Sequence, residues 1–458
     1  MTIDNKQVIN QRQLSWLASS VITSGGILSL QNVLIRISQM DAWYSYLPSA
    51  FYVFGVASFF GYITRVYPQK NIFEISKEVL GSACGTIVNL IMLFHFWQIV
   101  MRDTSSVARF STTLLLHNTP LEILILLPCL LLIYFGKSSV EVIARVNDLF
   151  YPLFVITVLI MPLLLSNEIH LQLVTPAMTM PLQHVTASSL LTIGNAGDIF
   201  ILGGFLHMMS NADQVRSSIR HGSLLGIFLL TLSVFLILAV LGPKMPGNFL
   251  YPLYNLVQTI HITDFLDRVD LIILMIWFPT VACKVIAIYM ALLLGISSIL
   301  NKRNYPTINK PVALFMVITT HMSFKNTTEL LTFSNFSMPV IVLAYQPLVM
   351  VILTLVAMRQ KKKHPSTSNL ASGGQPPAVN PSQKIGRLSE RFSYKQWLWG
   401  GNVLISLAAL CLFVGLLFSK YQAGIGTVCA LLFSACLLLS ALTTYMEVSQ
   451  LKQAEASK

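Results

Sequence analysis

Thr192-Ile193-Gly194-Asn195-Ala196-Gly197-Asp198 interrupts an otherwise apolar segment, 186–209, near its midpoint with two glycines, an amide and a carboxylate. In hydrocarbon every backbone N–H and C=O must be satisfied within the segment. An unwound stretch at that depth therefore survives only where it lines a cavity or is packed in protein. Interrupted hydrophobic segments are for that reason the sequence feature that points to a transporter-type binding site. The expectation is a helix broken at 192–198, with its backbone groups turned to a ligand.

The membrane reading rests on composition. Hydrophobic residues make up 54% of the 458 and charged residues 10%, against about 25% charged in soluble domains. Apolar stretches of about 20 residues fall at 14–36, 43–64, 84–113, 121–136, 144–166, 186–209, 219–242, 268–299, 310–326, 334–357, 396–418 and 423–446, twelve in all. Cys84, Cys129, Cys283, Cys411, Cys429 and Cys436 lie mostly inside apolar runs, without C-x-x-C or His/Cys metal spacing. They read as small core residues, and neither a disulfide nor a metal site is expected. The polar start, 1–13, runs into an apolar stretch with no small-residue cleavage site, so the first helix is expected to stay as an anchor.

A net charge of +12 would suit a nucleic-acid partner, but its distribution argues for topology instead. With the N-terminus cytoplasmic, that side holds Lys6, Arg12, Arg65, Lys70, Lys77, Lys137, Arg145, Arg216, Arg220, Lys302, Arg303, Lys310, the group from Arg359 to Lys395, Lys452 and Lys458. The opposite side receives Arg36, Lys244, Arg268, Lys325 and Lys420. The positive-inside rule then places both termini in the cytoplasm, and no nucleic acid is needed to explain the charge.

The first span has its own irregularity, Thr23-Ser24-Gly25-Gly26, five spans before the one at 192–198. Two broken helices at that spacing are what an inverted repeat of five plus five helices predicts, with a site at the bilayer midplane between them. The competing reading is that Gly25-Gly26 only permits close helix packing. In the eighth span Lys284 stands ~22 Å from either helix end at 1.5 Å per residue, too deep to snorkel. It needs a carboxylate or a watery cavity; Asp198 lies at comparable depth and Asp103 is the next choice, so Lys284 is either a ligand contact and fixed cation or half of a structural pair. In the third span Arg102 and Asp103 are adjacent, expected to point apart and to need separate partners, and Arg102 and Arg109 either reach the interface by snorkelling or are buried. His95 is either a satisfied core histidine or a residue facing the cavity. The stretch 253–260 is amphipathic and suits a short helix over the outer mouth, as a lid or as plain packing. Pro339 and Pro347 are expected to kink the tenth span.

The run from Asn118 through Arg145, with Thr119-Pro120-Leu121-Glu122, Tyr134-Phe135-Gly136-Lys137 and Glu141-Val142-Ile143-Ala144-Arg145, is followed in order by Gly242-Pro243, Tyr251-Pro252 and Asp264-Phe265. In that order and spacing the chain resembles the B subunit of bacterial spore nutrient germinant receptors, in the amino acid, polyamine and organocation transporter superfamily, over roughly three quarters of its length. The resemblance implies an all-α polytopic membrane protein with the LeuT-like five-plus-five inverted repeat. It implies a sensor that binds a small nutrient, an amino acid or a sugar, in the spore inner membrane and signals to a membrane A subunit and a lipoprotein C subunit. On the family pattern His95 and Ile99 of the third helix and Cys283, Lys284 and Ile288 of the eighth face the ligand. Backbone from Ser24, Gly25 and Gly26 and from Ile193, Gly194, Asn195, Ala196, Gly197 and Asp198 would hold its charged ends, since free N–H groups favour a carboxylate and free carbonyls an ammonium.

Family members have ten helices, so the chain is expected to divide into a ten-helix core, 1–358, a flexible basic cytoplasmic linker, 359–395, and an added transmembrane hairpin with its tail, 396–458. No Walker loop, H-E-x-x-H or Ser/His/Asp grouping is present, so neither an enzyme nor a cofactor is expected. The alternative function is a proton- or sodium-coupled amino acid permease, in which Lys284 at the coupling-ion position would make sodium unnecessary.

Overall fold

The computed structural model describes residues 9–209, 211–260, 269–300, 307–363, 393–419 and 421–456, and these contain helices and loops without a strand. In chain order the helices are α1 (Gln11–Ser29), α2 (Gln31–Ser38), α3 (Leu47–Val66), α4 (Ile72–Leu80), α5 (Ser82–Leu114), α6 (Leu121–Phe135), α7 (Val140–Leu164) and α8 (Leu182–Ala196). They continue with α9 (Ala212–Leu241), α10 (Pro252–Gln258), α11 (Val269–Ile299), α12 (Asn309–Ser323), α13 (Thr327–Thr332), α14 (Met338–Lys363), α15 (Tyr394–Phe418) and α16 (Ala423–Ala456). Among the described residues nine helical stretches are long and apolar enough to cross a membrane. The shorter apolar α6, together with α1 and α12, supplies a helix for each of the remaining three expected spans.

The first span is not broken at Thr23–Gly26. α1 runs through these residues and ends at Ser29, and a single turn residue, Leu30, separates it from α2. Thr23 and Ser24 bond back to the carbonyls of Ser19 and Ser20, at 3.0 and 2.7 Å, so their hydroxyls are satisfied inside the helix rather than by unwinding it. A Cβ at Gly25 would lie 2.6 Å from Lys284 Nζ, and one at Gly26 would lie 3.1 Å from Leu230. The pair gives an ammonium and a neighbouring helix room to approach, as the packing reading had it.

The sixth span does change at the expected place, but by tightening rather than unwinding. α8 ends at Ala196 and the chain continues as a 3₁₀ helix over Gly197–Met208, much longer than the usual three or four residues of that geometry. A Cβ at Gly194 would lie 2.8 Å from Pro339, and one at Gly197 would collide with Val342. The glycines let the start of α14 press on the junction. The Gly197 carbonyl is taken up by Gln346 Nε2 of α14 at 3.0 Å, which satisfies a backbone group that the change of helix type would otherwise orphan. Ahead of Pro339, Phe333–Ser337 is a π-helical turn joining α13 to α14.

The C-terminal hairpin, α15 and α16, packs on the core through α9. Arg220 of α9 is buried beside Glu447 of α16 at 3.4 Å, donates to Asn402 of α15 at 3.0 Å and stacks over Phe54 of α3 at 4.3 Å. Toward the other end of α15, Ser419 Oγ donates to the Met178 carbonyl, while Asp41 accepts from the backbone N–H groups of Met178 and Met180 at 2.7 and 2.8 Å. α14 extends to Lys363, so the expected linker begins inside a helix, and 364–392 lie outside the described residues. Lys6, Asp264, Phe265, Arg268, Lys302, Arg303, Lys420 and Lys458 lie outside them as well. α10 forms where an amphipathic helix was expected. The six cysteines are unpaired and five are buried, with Cys84 exposed.

Candidate functional site

Four charged side chains meet in the interior, where α1, α5, α11 and the 3₁₀ segment Gly197–Met208 converge. Lys284 Nζ of α11 donates to Asp198 Oδ2 at 2.7 Å and lies 2.9 Å from Asp103 Oδ2 of α5. Arg102 donates through Nη2 to Asp198 Oδ2 at 2.6 Å and through Nε to Asp103 Oδ1 at 2.7 Å. Side-chain exposure is 1% for Arg102, 6% for Asp103 and 0% for Asp198 and Lys284. Two cations and two carboxylates make the group neutral, which is what allows it to exist at such depth. A buried charge is tolerated only when paired and hydrogen-bonded, and removing one member leaves another uncompensated.

Arg102 and Asp103 thus do not point apart or need separate partners. The guanidinium is carried on a chain long enough to fold back on the neighbouring carboxylate while its other edge reaches Asp198. Neither arginine snorkels: Arg102 is in the cluster, and the buried Arg109 donates to the carbonyl of Phe324. Polar atoms remain without hydrogen-bond partners around the cluster, among them Arg102 Nη1, Asp198 Oδ1, Asn195 Oδ1, His95 Nε2 and Trp277 Nε1. Each such atom carries a desolvation cost of about 1–3 kcal/mol, and a polar ligand or water reaching them would recover it.

A crevice of about 300 Å³, counting the space at its open mouth, reaches the cluster along Ser24, Gly25, Arg102, Asp103, Ser106 and Trp277. A hydrogen-bonded row also runs from Tyr52 of α3 to Gln346 and Tyr345 of α14 and on to His95 Nδ1, the last link 2.6 Å long. Through Gln346 this row also holds the Gly197 carbonyl. The arrangement contains no group of His, Cys, Asp and Glu able to hold a metal among the described residues. It can compensate a small solute bearing both charges.

Comparison with known proteins follows the same lines. The family described as "Spore germination protein" matches residues 8–329. The chain belongs to that spore germination family. Among its relatives in Bacillus subtilis (strain 168), YfkT, a protein named for spore germination, is 26% identical over 71% of this chain and 87% of its own length. Spore germination protein KB is 22% identical over 70% of this chain and 88% of its own length. Among solved structures, the Mhp1 nucleobase-cation-symport-1 family transporter aligns over 95% of this chain and 93% of its own, with a TM-score of 0.56 and 12% identity. That likeness shows the fold, the transporter architecture of five-plus-five type.

In this family member the residues named from sequence separate into groups. Asp198 and Lys284 sit in the cluster, Ser24 and Gly25 line the crevice, and Asn195 Oδ1 would lie 3.3 Å from a Cβ at Gly25. Gly26 faces Leu230, while Gly194 and Gly197 face α14 rather than the crevice. His95 is bonded to Tyr345, leaving Nε2 unpaired. Ile99, Ile193, Ala196, Cys283 and Ile288 are buried apolar residues outside the crevice lining. Sequence reasoning missed Arg102 as a partner of Asp198, and Trp277, Ser106, Tyr345 and Gln346 altogether. A signal existed for Arg102 alone, a cation and an anion side by side in an apolar run.

Proposed function

We propose that the chain is a nutrient germinant sensor: it binds a small neutral solute at the crevice beside Arg102, Asp103, Asp198 and Lys284 and passes the change to partner subunits. The observation that carries this is the closed charge balance. The four charges balance one another, so the site needs no coupling cation, and a ligand with its own internal charge balance can enter without leaving a net charge behind. Spore germination relatives with names such as KB, A2 and B2 support a multi-subunit receptor, with an A subunit and a lipoprotein C subunit as partners. The spore inner membrane is then its location, with both termini in the cytoplasm on the charge asymmetry of the loops. Signalling requires the ligand to favour one of two conformations, and the 3₁₀ segment that carries Asp198 and is pressed by α14 is the element placed to pass on a change at the cluster.

The test is germination of spores carrying the native chain or Lys284→Met, measured across amino acids and sugars at graded concentrations, with receptor level followed by immunoblot. A site at the cluster predicts that the half-maximal concentration rises at least ~10-fold, equivalent to about 1.4 kcal/mol, when spores are compared at matched receptor level. An unaltered dose response would place the site elsewhere. The permease reading is tested by uptake of labelled amino acid into vesicles, where gradient-driven accumulation would replace sensing by transport.

A further inference from the structure

A second crevice, of about 490 Å³ including its open side, lies against the first. Its lining is apolar for the most part, with Ile27, Phe110, Phe154, Val158, Leu274 and Trp277 at its centre. The carboxylate on its wall, Asp270, accepts from Tyr254 of α10 at 3.0 Å. Trp277 lines both crevices. On each helix the second crevice begins two or three residues beyond the first. Gly25 is followed by Ile27 on α1, Val107 by Phe110 on α5, and Trp277 is preceded by Leu274 on α11. Two or three residues of helix advance about 3–4.5 Å, so a charged end and an apolar end stand apart by roughly the reach of one amino-acid side chain.

Two donors at the polar end are unsatisfied: Arg102 Nη1 and, at the junction, Trp277 Nε1, both buried. An acceptor on the ligand would satisfy them, and the Asp103 carboxylate on the same wall, already shared between Arg102 and Lys284, can be shared with a ligand cation as well. With the cluster already neutral, the ligand must carry both charges at one end. We propose that the site selects an α-amino acid with a large aliphatic or aromatic side chain. The charged end lies at Arg102 and Asp103, and the side chain passes Trp277 to rest among Phe110, Phe154, Val158 and Leu274. This rests on the ligand-sensor reading and adds the class of side chain to it. Each methylene moved from water into such a pocket contributes about fourfold in affinity, so leucine should bind tens-fold more tightly than alanine.

The full-length protein, purified in detergent, is melted with increasing L-leucine, L-phenylalanine, L-alanine or D-glucose, since a ligand that binds only the folded state raises the melting temperature with its concentration. The expected result is half-maximal stabilisation by leucine or phenylalanine at a concentration at least ~10-fold below that for alanine, with glucose inert. Val158→Trp, which fills the apolar crevice, should abolish that preference and leave the alanine effect in place. Phe110→Ala, which enlarges the crevice and tests the same wall should Val158→Trp fold poorly, should shift preference toward phenylalanine. If alanine or glucose stabilises the native protein as well as leucine does, or if neither variant alters the order, the apolar crevice is not part of the site and this proposal fails while the sensor reading stands. If none of the four solutes stabilises the native protein, this proposal fails. The sensor reading fails separately, if Lys284→Met leaves germination unchanged.

Discussion

Arg102 and Asp103 are neighbours in sequence, yet both close on one cluster with Asp198 and Lys284. The depth of Lys284 in an apolar span was enough to demand a carboxylate and to name Asp198 and Asp103. Direction along a helix was not enough to place Arg102, because spacing rules treat side chains as rods while a guanidinium bends around its own backbone. Neutrality of the cluster makes a definite prediction. Lys284→Met leaves one carboxylate uncompensated and should destabilise the protein by about 3–5 kcal/mol; adding Asp103→Asn removes the excess charge and should recover at least half of that, read as melting temperature of the purified protein. Equal destabilisation by the single and double variants would mean that packing, not charge, sets the cost. Gly25 belongs to the same scale. A methyl at this position would sit 2.6 Å from Lys284 Nζ, and two carboxylates hold that ammonium in place. Gly25→Ala should therefore displace it and raise the half-maximal nutrient concentration in germination assays at unchanged receptor level, whereas an unchanged response would show that the lysine yields freely.

At the scale of elements, the sixth span is where reading and structure meet most closely and still differ. Two glycines with Asn195 and Asp198 marked the place of the irregularity, since nothing else in an apolar segment needs them. Its form depended on α14, whose Pro339 and Val342 occupy the space beside Gly194 and Gly197 and whose Gln346 binds the Gly197 carbonyl. The chain could tighten into a 3₁₀ helix because that neighbour supplied the missing partner. Gly197→Ala should accordingly destabilise the fold by about 1–3 kcal/mol through overpacking. Combining it with Val342→Ala, which vacates the colliding branches, should restore most of the loss in melting temperature. Failure of that rescue would assign Gly197 a backbone role instead. The first span shows the reverse. Gly25-Gly26 resembled a break, but α1 stays helical and the residues serve close approach, a distinction invisible without Lys284 and Leu230 on the facing helices.

Over the whole molecule, the hairpin α15–α16 lies beyond the residues matched by the family and is nevertheless tied to the core by buried polar contacts. Arg220 meets Glu447, Asn402 and Phe54 in a setting where neither charge is exposed. Arg220→Met would leave Glu447 buried without its cation, at a cost of about 3–5 kcal/mol. Arg220→Met with Glu447→Leu should be near neutral or more stable than the native protein, as replacement of a buried pair by apolar groups often is. Melting curves of the single and double variants decide this, and a double variant no better than the single would show that the loss comes from the contacts of Arg220 to Asn402 and Phe54 rather than from the uncompensated charge of Glu447. Near Ser419, contacts to the Met178 strap, which Asp41 holds in turn, join the hairpin to the start of the sixth span.

Composition and hydropathy by themselves determined a polytopic helical membrane protein and the place of the irregularity in its sixth span. They could do so because solvation of backbone and side chains in hydrocarbon is a local constraint, written into each segment of about 20 residues. The lysine's need for a carboxylate followed from the same constraint. Which carboxylates, that Arg102 joins them, that the glycines clear space for α14 and for an ammonium, and that a polar crevice and an apolar one share Trp277 were decided by the tertiary structure. Those features depend on distances between side chains far apart in the chain, and such distances are set by how the helices pack against one another.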